Sequence, residues 1–185
     1  MKLRESIFVI GEGLTEKHYY QHLRKLKSYN YVIRPRFFSS NNCIYYLEKH
    51  TEELLLADVM VICAFDADVA RRNAIERKRY RNFIKKYRNN ENVIICDSLP
   101  SIEFWFLLHY RNTNKYFQNY KEIRNELRKY IPNYDKAEKF LCQEKWAISL
   151  IKKQDFAIEN GKKLDPDSGS YSNIFKSIEF FEKNN

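Results

Sequence analysis

The chain has 185 residues, 44% of them hydrophobic and 16% aromatic, which suits one well-cored domain and excludes global disorder. A formal net charge of +9 favours a polyanionic partner such as nucleic acid, a nucleotide or an acidic surface. No apolar run approaches the ~20 residues of a membrane span and no signal peptide precedes Ile7, so a cytoplasmic location away from membranes is expected.

The first element is an unbroken apolar run through Phe8, Val9 and Ile10, which reads as a strand buried on both faces. It stops at Gly11-Glu12-Gly13, where glycines permit a tight turn and close approach of backbone to a ligand. Thr15 is expected to cap a helix beginning at Glu16, with Tyr19, Leu23 and Leu26 on its apolar side. Tyr31–Phe38 reads as a second strand, short or at an edge because of Pro35. Asn41–Leu56 reads as a helix, and Asp58–Phe65 as the strongest strand signal, ending directly in Asp66-Ala67-Asp68. Arg71–Asn89 is a predicted helix and Asn92–Cys96 a fourth strand. Ser101–Tyr110 is apolar nearly all round, which predicts a buried helix. Such alternation indicates a parallel sheet covered on both faces.

From Asn112 the pattern changes. Helices are predicted over Tyr120–Ile131, Asp135–Phe156 and Asn173–Glu182. Asn160–Ser172 holds two of the four glycines and one proline, a loop by composition. The expected organisation is one structural domain: an α/β core over 1–111 and a helical extension over 112–185 packed on it.

In an open parallel sheet, ligands bind at the carboxyl ends of the strands. Glu12 ends the first strand, Asp66 and Asp68 the third, Glu103 lies just beyond the fourth, and Glu16 sits in the first turn of the first helix. Taken singly, these acids have plain structural roles as turn residues or complements to helix dipoles. Together they would repel one another, and a hard divalent cation such as Mg²⁺ or Mn²⁺ removes that penalty. Asp66 and Asp68 would face one side if the backbone stayed extended.

Gly-Glu-Gly-Leu-Thr-Glu after a first strand, then Phe-Asp-Ala-Asp after a third, resembles the TOPRIM domain of topoisomerases, primases and overcoming-lysogenization-defect nucleases. More narrowly, Glu-Gly-x-Thr-Glu followed by Tyr-Tyr, then Ser-Leu-Pro-Ser-Ile-Glu-Phe-Trp-Phe-Leu-Leu-His-Tyr, is similar to the RloB-like family. Tyr134-Asp135-Lys136 and Asp165-Pro166-Asp167-Ser168, followed by Tyr171 and Ile174, also resemble that family. The likeness spans nearly the whole chain. Leu99 stands where that family usually has Asn, and Ile102 where Phe is common.

This resemblance implies a TOPRIM-like, Rossmann-like, mostly parallel sheet of about four strands flanked by helices. It implies Glu12 as metal ligand or general acid–base, Asp66 and Asp68 as metal ligands, and Glu16 and Glu103 as supporting ligands. Lys136 is nominated to stabilise developing charge. A Mg²⁺- or Mn²⁺-dependent nuclease of a phage-defence or restriction-associated system follows, with an RloA-type ATPase as a partner. Two alternatives stay open: a non-cutting module that binds nucleic acid or a nucleotide beside an ATPase, and a nucleotidyl-transfer enzyme.

Arg71, Arg72, Arg77 and Lys78 follow directly on the Asp-x-Asp and are candidates to hold a phosphate backbone. A solvated outer face explains them equally well. Trp105 and His109 share one side of a helix and read as core. His18 and His22 have zinc-like i, i+4 spacing, but no Cys or His close in sequence completes a site. The four cysteines, Cys43, Cys63, Cys96 and Cys142, form no C-x-x-C pair and read as reduced thiols.

Overall fold

Strand β1 (Ile7–Gly11) is buried along its whole length and lies inside the sheet. The computed structural model describes residues 6–11, 13–29, 33–37 and 43–184. β1 pairs in parallel with β2 (Ile33–Phe37) on one side and with β3 (Met60–Asp66) on the other. β4 (Val93–Leu99) joins β3 in parallel, and the two-residue β5 (Tyr171–Ser172) closes the order β2-β1-β3-β4-β5, antiparallel to β4. The short strand carrying Pro35 is thus an edge strand, where a missing ladder donor costs least. Four parallel strands match the expected sheet; β5 falls within the stretch expected to be loop.

Alternation along the strands sends side chains to two cores. Ile7, Val9, Ile62 and Ala64 pack with α1 (Leu14–Lys27) and α5 (Glu103–Leu108). Phe8, Ile10, Val61, Cys63 and Phe65 pack with α2 (Cys43–Leu55) and α4 (Ala74–Tyr87). The first core continues through residues of α6 (Tyr120–Leu127), α7 (Glu138–Leu141), α8 (Glu144–Ile151), α9 (Gln154–Lys162) and α10 (Phe175–Lys183). No described helix is long and apolar enough to cross a membrane.

Several predicted boundaries move. α1 starts at Leu14 with Gly13 as N-cap and no side-chain cap, so Thr15 lies inside the first turn. The predicted Arg71–Asn89 helix is two: α3 (Val69–Arg72) and α4, separated by an extended Asn73 whose side chain accepts from Glu76 N at 2.9 Å. The predicted Asp135–Phe156 helix is broken into α7, α8 and the start of α9. Strand four runs on to Leu99, because β5 pairs Ser172 with Ser98 and Tyr171 with Leu99.

What fastens β5 is Asp97. Its Oδ2 accepts from the Tyr80 hydroxyl at 2.7 Å and the Tyr171 hydroxyl at 2.6 Å, and its Oδ1 from Asn173 Nδ2 at 2.8 Å. Burial, with the Asp97 charge, pushes both tyrosine hydroxyls well above their ordinary pKa, so they stay donors. Asp97→Ala should cost about 3 kcal/mol, because buried donors lose their acceptor while the two tyrosines can still bond each other. Asp97→Asn should cost about half of that. Urea unfolding of the two variants measures both; equal costs would show that an amide oxygen cannot stand in for the carboxylate, and costs near zero that Asp97 does not fasten β5.

His109 is core, as expected, at 1% exposure, with Nδ1 donating to the Trp105 carbonyl at 2.9 Å. Burial lowers its pKa from 6.5 to about 4. Between those values the unfolded chain binds the proton and the folded chain does not, so stability falls as pH drops through that window. The whole span corresponds to about 3 kcal/mol. Unfolding free energies at several pH values should show this loss, and His109→Gln should flatten it; identical pH slopes would remove His109 as the cause.

Candidate active site at the carboxyl ends of the central strands

After β1 the chain goes outward to β2, then crosses back to β3 on the other flank of β1. That reversal leaves a crevice at the carboxyl ends of β1 and β3, the place where open α/β sheets bind ligands. Two adjoining cavities lie there. One, of about 320 Å³, is lined by Gly13, Leu14, Thr15, Glu16, Asp66 and Lys136. The other, of about 470 Å³, is lined by Asp66, Asp68, Pro100, Ser101, Asn119, Tyr120, Lys121 and Lys136. Asp66 and Lys136 belong to both. A third cavity, lined by residues of α4, β4 and the stretch 166–176 and including Asp97 and Tyr171, shares none of the described lining residues of these two.

Each acid is set by its element. A Cβ on Gly13 would sit 3.1 Å from Glu16 Oε2, so the glycine lets the buried Glu16 carboxylate fold back over the turn. Asp66 is the last residue of β3, and its Oδ1 accepts from Ile102 N at 3.1 Å, which ties it to the entry of α5. Ala67 N donates to Ser98 O at 2.7 Å, and Asp68 takes helical dihedrals as N-cap of α3. The chain therefore leaves the extended state after Asp66, yet both aspartates border one cavity. Glu12 lies outside the described residues.

Glu103 is placed differently. It is fully buried, Ser101 Oγ donates to its Oε2 at 2.6 Å, and the Tyr134 hydroxyl donates to Oε1 at 3.0 Å. Lys136 Nζ lies 3.2 Å from the same Oε1 and 4.3 Å from the centre of the Tyr120 ring. Burial alone would lower the Lys136 pKa; the carboxylates of Glu103, Asp66 and Glu16 outweigh it and raise the value above that of ordinary lysine. Lys136 is a fixed cation at neutral pH, unsuited to act as a base. Glu103 holds that cation.

Arg71, Arg77 and Lys78 are not among the residues lining these two cavities. Arg71 donates to the Tyr116 hydroxyl and lies over its ring, 4.9 Å from the centre. Arg77 donates through Nε to Ala70 O at 3.3 Å, and both Arg77 and Lys78 are exposed on α4. Arg72 falls in α3, and its side chain lies outside those described.

Sequence reasoning did not single out Ser101, Tyr120 or Tyr134, although Ser101 and Tyr134 stand inside segments it quoted. The signal for Ser101 and Tyr134 was a place two residues from Glu103 and Lys136; Tyr120 had none. A family model described as RloB-like protein matches residues 7–180. No curated protein and no solved structure matches the chain.

Proposed function

The chain belongs to the RloB-like protein family, and from that premise we propose a divalent-metal-dependent nuclease whose site is the TOPRIM-like crevice between β1 and β3. The observation that carries the reading is that Glu16, Asp66, Asp68 and Lys136, from three separate segments, line two cavities sharing Asp66 and Lys136. The acidic donors there are carboxylate oxygens, with no thiol or imidazole among the described residues of either wall, which suits Mg²⁺ or Mn²⁺ and disfavours softer ions. Glu16, Asp66 and Asp68 would hold the metal, joined by Glu12 on its sequence position, with Glu103 acting through Lys136. The bound ion would supply Lewis-acid polarisation of the scissile phosphate and an activated water.

The chain's own contributions follow from the geometry. Lys136 presents a positive charge beside the carboxylates, where a phosphate oxygen can be neutralised. Ser101 and Tyr134 fix the Glu103 carboxylate, and Glu103 fixes Lys136. Asp66 is oriented by the Ile102 amide before any ligand arrives. Arg71, Arg72, Arg77 and Lys78, on α3 and the start of α4, would take the phosphates flanking the cut.

Plasmid DNA, single-stranded DNA and RNA incubated with Mg²⁺ or Mn²⁺ test the reading. Expected are cleavage products that vanish with chelator. Metal-dependent binding without products would replace the nuclease by a binding module working beside an RloA-type ATPase. Incorporation of labelled nucleoside triphosphates would replace it by nucleotidyl transfer.

A further inference from the structure

Two residues beyond Glu16 on α1 comes His18, and two residues beyond Lys136 comes Glu138. These residues meet outside the carboxylate cavities. His18 Nε2 lies 3.7 Å from Glu138 Oε1 and 4.0 Å from Cys142 Sγ. All three candidate ligand atoms lie within 4.8 Å of one another.

We propose that His18, Glu138 and Cys142 form a second metal site, for Zn²⁺ or another borderline divalent ion, that braces the segment carrying Lys136 against α1. Tetrahedral zinc, with bonds of about 2.0–2.3 Å, holds its ligand atoms about 3.4–3.6 Å apart. The His18–Glu138 and His18–Cys142 separations need to close by only a few tenths of an ångström, while Glu138 and Cys142 start within 4.8 Å of each other. Glu138 and Cys142 are exposed and can make that movement, while His18 is buried and provides the fixed point.

His22 supplies the pre-organisation. Its Nε2 donates to the Leu141 carbonyl at 2.8 Å, and Trp146 Nε1 donates to the same oxygen at 3.1 Å. Two donors thus pin the residue immediately before Cys142. The i, i+4 histidine pair is therefore divided in role: His18 is the ligand and His22 holds the turn that delivers the thiol. Imidazole and thiolate are the wrong donors for Mg²⁺ and good ones for zinc, so the two sites select different ions. Coordination converts the Cys142 thiol to thiolate, its proton passing to solvent, and leaves the fourth position for water.

The full chain, stripped with chelator, is titrated with Zn²⁺ and with Co²⁺. Expected is one equivalent of Co²⁺ giving a thiolate-to-cobalt charge-transfer band, and a Zn²⁺-dependent rise in the melting midpoint. Cys142→Ser should abolish the band and the rise, and weaken Zn²⁺ binding by more than about 10-fold, the least expected when even an outer-shell partner is lost. His18→Gln should weaken binding likewise, while Asp66→Asn leaves the band unchanged. Cys142 is exposed, so its substitution opens no core cavity. A wild-type chain without the band, or a Cys142→Ser chain that retains it, overturns the proposal.

Discussion

Asp66→Asn is expected to lower metal-dependent cleavage by about 10²- to 10³-fold while leaving the fold nearly as stable as before. The carboxylate borders both cavities, so its charge is the one that a cation in either would share. Within the fold its Oδ1 accepts an amide hydrogen from Ile102, and its charge also faces Lys136. An asparagine oxygen can accept that hydrogen equally well, so the stability change should stay below about 1 kcal/mol. The loss of rate belongs to charge, at the magnitude seen when one preorganised electrostatic contributor is removed. Cleavage rates and Mn²⁺ affinity measured on the same preparations decide the matter. Unchanged cleavage removes Asp66 from the site, and loss accompanied by a large fall in melting temperature makes it structural.

The sheet was legible because burial writes itself into strands as continuous apolar runs. β1 and β3 face a core on each side, so neither carries a polar residue until its carboxyl end, and there the acids begin. The helical half was harder. Ala147, Leu150 and Ala157 all pack into one core, and their spacings of three and seven keep a helical rhythm across the break at Lys152-Lys153, which contains no glycine or proline. Periodicity reports which face is buried and is silent about one- or two-residue interruptions between helices sharing that face. Gly161 misled in the other direction. It reads as loop by composition, but it sits in α9, where an added Cβ would meet Phe175 Cδ1 at 2.9 Å. That glycine serves close packing rather than a turn.

The candidate site divides in the same way. Glu16, Asp66 and Asp68 could be read from their place beside strand ends, since topology alone brings strand ends together. Glu103 looked equivalent by the same rule, and its burial and partners instead direct it to Lys136. Ser101, two residues away, was within local reach, but no local pattern could show Tyr134, which comes from 31 residues away in the chain. The His18 cluster is the extreme case: its thiol lies 124 residues along the sequence.

The Lys136–Glu103 pair yields the sharpest asymmetry. Lys136→Met should destabilise the fold by about 3 kcal/mol, the lower end of the cost of breaking a buried ion pair, because the lysine keeps partial contact with water. Its side chain is 38% exposed, whereas that of Glu103 is 0% exposed. Removing the lysine strands a carboxylate that has no route to solvent and only the hydroxyls of Ser101 and Tyr134 left to satisfy it. Glu103→Gln should cost less, since Lys136 can turn to water and still feels Asp66 and Glu16. The double variant Glu103→Gln/Lys136→Met should therefore be more stable than Lys136→Met alone. Cleavage should not follow stability: both proteins lacking the lysine should lose about 10²-fold or more, since the double substitution restores packing and leaves the cavity without its cation. Chemical denaturation and initial rates on the four proteins of this cycle separate the two roles. Cleavage recovering together with stability in the double variant would reduce Lys136 to a counter-ion for Glu103 and return the electrostatic role to other residues.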